Sequence, residues 1–178
     1  MIVGNQERSQ PLIVKKDPNS EGTEGTIAEQ TKLLTELRND LDSAAAMVNQ
    51  IEFVRAQIYQ LTAAVSDTNA SAVKAAADDL DKKLIDIEET LIQRRLTGQG
   101  QDTVRWPPKL MSKLSYLSGG LADSDFGPTN QQREVQNLLH SQLMTARQKL
   151  DAVLNTDLVA FNKLLRDRGV DNIGSRTP

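Results

Sequence analysis

The run Thr26–Val65, TIAEQTKLLTELRNDLDSAAAMVNQIEFVRAQIYQLTAAV, contains neither glycine nor proline, and its apolar residues recur at spacings of three and four. Ile27, Leu34, Leu37, Leu41, Ala44, Val48 and Ile51 form a stripe that drifts and then continues through Val54, Ile58, Leu61 and Val65. That period is the signature of an amphipathic α-helix. Thr26 and Glu29 have the spacing of a capping box, in which each side chain satisfies a free backbone N–H of the first turn. The stretch therefore predicts one helix over 26–65, about 60 Å long at 1.5 Å per residue.

Beyond it, Ser66–Ser71 (SDTNAS) is short and rich in cap-forming residues, and short connections make antiparallel neighbours. A second helix over about 71–97 carries Val73, Ala77, Leu80, Leu84, Ile87 and Leu91 on one face. Asp78/Lys82 and Asp79/Lys83 stand as i,i+4 pairs on the other, and Gly98 is the expected stop. Residues 98–108 (GQGQDTVRWPP) read as an irregular segment. A short helix follows from Pro107 or Pro108 with Leu110, Leu114, Leu117 and Leu121, ended or bent by Gly119-Gly120. Thr129 and Gln132 make a second capping box. It opens a helix with Val135, Leu139, Gln142, Ala146, Leu150 and Val153, extended by Leu158, Phe161, Leu164 and Leu165 to Gly169, with a potential break at Asn155-Thr156.

The expectation is an all-α protein, an antiparallel bundle of about four helices: two long, one short after a loop, and a final long one. It occupies residues 26–169, between an extended N-terminal segment (1–25) and a flexible tail (170–178). Within the N-terminal segment, QPLIVKKDP alternates like a single strand with nothing to pair with. A lone strand cannot satisfy its own backbone groups, so it is flexible here, lies along the helical body, or belongs to a sheet supplied by something else.

Composition removes whole classes of function. The 178 residues include no cysteine and one histidine, which excludes disulfides, thiolate metal sites, a cysteine nucleophile and any multi-histidine centre. Against 21 Lys and Arg stand 24 Asp and Glu, a net charge of -3, so no basic face for nucleic acid is expected. The sequence has no run of 18 apolar residues, the length a membrane span needs, and the first ten residues do not read as a signal peptide.

The remaining constellations favour structure over chemistry. His140 falls at the edge of the last stripe, and Asn137 stands where a di-iron motif needs glutamate, so a structural or solvent-facing role is expected. Asp78/Asp79 and Glu88/Glu89 are adjacent, hence about 100° apart on a helix, and read as a solvated face. Asp123 and Asp125 read as turn and cap chemistry rather than a cation loop. Gly98-Gln99-Gly100 follows a helix, not a strand, and reads as a helix stop. Asn69-Ala70-Ser71 fits a glycosylation acceptor but is explained by capping. Trp106, beside Arg105 in the long loop, is either an end plug for the bundle or an interaction point, and these two residues are the candidate interaction site. No catalytic, cofactor-binding or metal-ligating set is expected, and the chain is not read as an enzyme.

QPLIVKKDPNSEGTEGTIAEQ, WPPKLMSKLSYLSGGLADSDFGPTNQQREV and LVAFNKLLRDRGV, in that order around the long helix, resemble the C-terminal helical domain of bacterial sortilin-like (VPS10-type) β-propeller proteins with BNR repeats. These are often labelled glycosyl hydrolases. The resemblance spans about residues 10–170 and departs at Met111-Ser112, where the family usually carries a polar Asn-Asn pair. It implies a non-catalytic structural or interaction module of a larger extracytoplasmic protein, with the unpaired strand belonging to a preceding β-domain or propeller of the same polypeptide. It carries no active-site residue onto this chain. The alternative is a free-standing bundle that acts as an adaptor or oligomerises through apolar residues lying off the first helix's stripe, Leu33 and Phe53. A monomer is the expected state, with a preceding domain or another protein as partner.

Overall fold

A computed structural model describes residues 2–3, 6–7, 9–65, 70–124 and 126–175. Among the described residues six α-helices dominate: α1 (Glu24–Ala64), α2 (Ala70–Leu91), the single turn α3 (Asp102–Arg105), α4 (Leu110–Ala122), α5 (Asn130–Ala152) and α6 (Leu158–Asp167). The protein is all-α, with α1, α2, α4 and the α5–α6 rod as its four principal helices. At the N-terminus two-residue strands, β1 (Ile2–Val3) and β2 (Gln6–Glu7), pair antiparallel. In the QPLIVKKDP segment, residues 10–17 adopt no regular secondary structure and have no strand partner among the described residues, and Leu12 is 87% exposed.

Helix α1 starts earlier than the Thr26–Glu29 box predicts. Thr23 is the N-cap, its hydroxyl accepting from the Thr26 N–H at 3.1 Å while the Thr26 hydroxyl accepts from the Thr23 N–H at 2.9 Å. The buried positions along α1 are Leu33, Leu37, Asp40, Ala44, Met47, Ile51, Val54 and Ile58, with Val48 beside them. Their spacing alternates four and three without a slip, the heptad of helices packed nearly parallel. Leu33, expected off the stripe, is therefore core, and Phe53 is half-buried close to Gly174.

The helices lie in three rows. Glu29 meets Arg133, Asp40 meets His140 and Gln57 meets Gly174, so the α5–α6 rod runs in the same direction as α1. Between them the chain runs back in two pieces. α2 pairs with the C-terminal half of α1 through Arg55, Asp81 and Glu88, and α4 reaches the start of α1, where the Gln30 amide donates to the Leu121 and Ser124 carbonyls. One aliphatic core runs through all three rows.

α2 follows its predicted stripe residue for residue but ends at Leu91, not Thr97. On α5 the buried residues are Gln136 and Leu143, in place of the expected Val135 and Gln142. α4 continues through Gly119-Gly120, and the Asp123 N–H caps it on the Gly119 carbonyl. The potential break at Asn155-Thr156 is a π turn, Val153–Asp157. Val153 and Leu158 are both buried but five residues apart, one too many for a helical stripe, and the wider turn absorbs the extra residue.

α6 ends in a Schellman motif: Val170 N–H donates to Leu165 O at 2.9 Å, and Gly169 N–H to Arg166 O, with Gly169 at φ 70°. Of the segment expected as a flexible tail, residues 171–175 lie against the bundle, and 176–178 lie outside the described residues. Ile173 is buried, the Asn162 amide bonds both its N–H and its carbonyl at 2.9 Å, Gln57 brackets Gly174, and Gln50 donates to the Ser175 carbonyl. The tail reads as loose from composition because its anchors are glutamine and asparagine side chains on other helices.

Candidate functional site

The middle row is broken between α2 and α4, and the segment that bridges the break builds a wide concavity on the side of the bundle. After Leu91 the chain leaves the helical path and winds around Asp102. That carboxylate accepts from the Thr97 N–H at 2.6 Å, the Gly98 N–H at 2.9 Å and the Thr97 hydroxyl. These bonds, led by the Thr97 N–H, hold the Asp102 carboxyl below its ordinary range. Gly98 and Gly100 stand at φ 75° and 63°, so the glycines expected to stop a helix instead shape a nest for this carboxylate.

The nested loop delivers Trp106 to the side of the bundle. Its ring is half-buried, with the Arg95 guanidinium 4.8 Å from the ring centroid, a cation–π contact. The Gln93 amide donates to the Pro107 carbonyl, and Lys109 stands at the N-cap position of α4 after the two prolines. Trp106, Leu96 and Pro108 then form one wall of a groove of about 780 Å³. Lys113, Tyr116 and Leu117 of α4 form the second wall, and Val135, Leu138 and Leu139 of α5 the third. Its apolar side chains are open to solvent: Leu138 is 56% exposed and Tyr116 86%. Among the described residues no carboxylate lines the groove, and Lys113 is its one charged lining residue.

Of the two candidate interaction residues, Trp106 belongs to this groove and Arg105 does not. The cation on the indole is Arg95, eleven residues earlier, and no local sequence signal marks that pairing. The displaced positions Val135 and Gln142 are accounted for here as well, since both lie along the groove rather than in the core.

A second cleft, about 370 Å³, lies between α1 and α5 and contains Asp40, Gln136 and His140. His140 is at the edge of its helix with its ring half-exposed, as expected, but it has a partner: Nδ1 is 2.8 Å from Asp40 Oδ1. Asp40 is only 6% exposed, and its Oδ2 has no hydrogen-bond partner among the described residues.

A third cluster corrects the reading of Glu88 as part of a solvated face. Glu88 is 1% exposed and meets Arg55 Nη1 at 2.9 Å and Arg94 Nε at 3.3 Å, while Arg55 Nε pairs with Asp81 at 2.8 Å. Burial pushes the Glu88 carboxyl up, and the two guanidiniums only partly offset this. Its neighbour Glu89 is half-buried, whereas Asp78 and Asp79 are exposed as expected. On the same helix Lys83 bridges Asp79 and the π-turn residue Asp157, each at 2.9 Å, and both hold its amine above the ordinary value.

Asp123 is the exposed C-cap of α4, while Asp125 and Asn69 lie outside the described residues. Among the described residues no three His, Asp or Glu gather as a metal site would require, and no helix is long and apolar enough to cross a membrane. No protein-family model, curated protein or solved structure matches this chain.

Proposed function

We propose that this chain is a non-catalytic helical module that docks a partner through the Trp106 groove, and that it serves as the C-terminal module of a larger extracytoplasmic sortilin-like β-propeller protein. The observation that carries the docking role is the groove itself: one concave, carboxylate-free surface with four large apolar side chains partly in solvent. Contiguous exposed apolar surface of this kind marks interaction sites. Attachment to a preceding β-domain is supported by residues 9–17, where Leu12, Ile13 and Val14 lie exposed beside unpaired backbone, and by the family resemblance of the sequence.

An antibody raised against this chain and used on fractionated source cells tests the second half of the reading. A band several times larger than 19.6 kDa in the extracytoplasmic fraction is the expected result. A band at 19.6 kDa in the cytoplasm overturns it. The docking half is tested by placing a photoreactive residue at position 138. It should crosslink to another domain or protein at a discrete mass, and a uniform absence of adducts sinks it.

A further inference from the structure

We infer that the Trp106 groove is a seat for an amphipathic helix with acidic flanks, supplied by the partner. This rests on the docking role proposed above and goes beyond it by naming the chemistry of the occupant.

Shape is the first argument. Val135, Leu138, Leu139 and Gln142 stand at i, i+3, i+4 and i+7 on α5, which spans about 10 Å at 1.5 Å per residue. Beside them run Lys113, Tyr116 and Leu117 of the antiparallel α4. Two adjacent helices with such rows make a furrow into which the ridge of a third can pack over about two turns. Enclosure argues against a small ligand, because small-molecule sites bury most of the ligand's surface, whereas Tyr116 here is itself 86% exposed.

Charge is the second argument. Lys113 lines the groove, Arg95 lies on the face of Trp106, and no carboxylate among the described residues faces them. An occupant gains from acidic residues beside its apolar stripe and is opposed by basic ones. That disfavours the chain's own exposed segment, whose Leu12–Val14 run continues into Lys15 and Lys16. It likewise disfavours a second copy docked groove to groove, which would bring Lys113 and Arg95 against their equivalents.

The test uses the full chain and a random 14-residue peptide library displayed on mRNA, counter-selected against Leu138→Asp. Enriched peptides should carry apolar residues at i, i+3, i+4 and i+7 and a net negative charge. Because Trp106 is the only tryptophan, its emission then titrates the best tryptophan-free peptide directly. Lys113→Glu should weaken that peptide about fivefold, as expected when one exposed attractive pair becomes repulsive. Leu138→Asp should weaken it more than tenfold. Enrichment of basic or extended peptides, or equal affinity for the Lys113→Glu chain, overturns the inference and leaves the docking role standing. Palmitate shifting the Trp106 emission where no peptide does also overturns it, replacing the helix with a lipid anion. Silence of Trp106 toward both, together with no crosslink at position 138, sinks the docking role as well.

Discussion

Replacing Asp40 with leucine should make the protein more stable, although it destroys an interhelical hydrogen bond. Asp40 occupies a core position of the α1 heptad, between Leu37 and Ala44, and is 6% exposed. One carboxylate oxygen bonds His140 at 2.8 Å and the other has no partner. Removing an orphaned buried polar atom gains about 1–3 kcal/mol, and the lost bond to the half-exposed imidazole costs about 1 kcal/mol. Burying the leucine side chain adds roughly 2 kcal/mol. Leucine has the same branched outline as aspartate with bulkier methyl ends, and the 370 Å³ cleft beside Asp40 gives these room, so overpacking does not cancel the gain. The net expectation is about 2–4 kcal/mol, or roughly 9 °C in Tm for a chain of this length. Urea unfolding followed by helical circular dichroism, with an unchanged m-value, is the assay. His140→Ala alone should cost less than about 1 kcal/mol. Asp40→Leu less stable than the native chain would refute the reasoning, because it would mean that the Asp40–His140 pair outweighs both desolvation and the heptad's demand for an apolar residue.

Arg55→Met leaves the Glu88 carboxylate buried with only Arg94, and stripping one partner from such a pair costs about 3–5 kcal/mol at neutral pH. Glu88 already has a folded-state pKa above the ordinary 4.5, and the substitution raises it further. A raised carboxyl stabilises the fold below the unfolded pKa and loses that contribution as pH rises through the folded one. The penalty of Arg55→Met should therefore shrink as pH falls toward 4.5; a pH-independent penalty in urea melts would show that Glu88 is not its origin. Ile173→Ala should destabilise by about 2 kcal/mol despite lying near the end of the chain, read by the same melts, and a change below about 0.5 kcal/mol would mean that residues 171–175 do not stay docked. Gly169→Ala, which puts a Cβ on a φ of 70°, should cost about 1 kcal/mol and fray α6 first in amide exchange.

How much of this was legible in sequence depended on whether the core was purely apolar. The α2 stripe, Val73 to Leu91, could be read without error because every buried position but Glu88 is Ala, Val, Leu or Ile. On α1 the true row passes through Asp40, and on α5 through Gln136, so a reader following apolar residues slides onto Leu34 and Leu41, or onto Val135. Glu88 hides the same way: its partners Arg55 and Arg94 come from α1 and from the turn after α2, and sequence spacing gives no reason to bring them together. The early end of α2 is a tertiary effect. Asn-Gly or proline signals are absent between Leu91 and Gly98, and what draws the chain aside is the Asp102 nest five residues beyond Thr97. The groove was invisible for the same reason, although Trp106, one of its walls, could be singled out as the lone loop tryptophan.

The position of the groove follows from how the three rows are filled. α1 and the α5–α6 rod are continuous, and the rod stays in phase across an extra residue because the π turn at Val153–Asp157 resets it. The middle row has no such device. α2 and α4 supply 22 and 13 residues against the 41 of α1, and the chain between them is pulled outward by Asp102, Gly98 and Gly100. A helix running unbroken from α2 into α4 would have no loop to carry Trp106, Leu96 and Pro108 out to the flank of α5. Leu138 and Tyr116 stand exposed beside the break, and the prolines and the nested carboxylate frame it. A flaw in packing would be loose; this one is fixed at both ends, which is what a preformed seat requires.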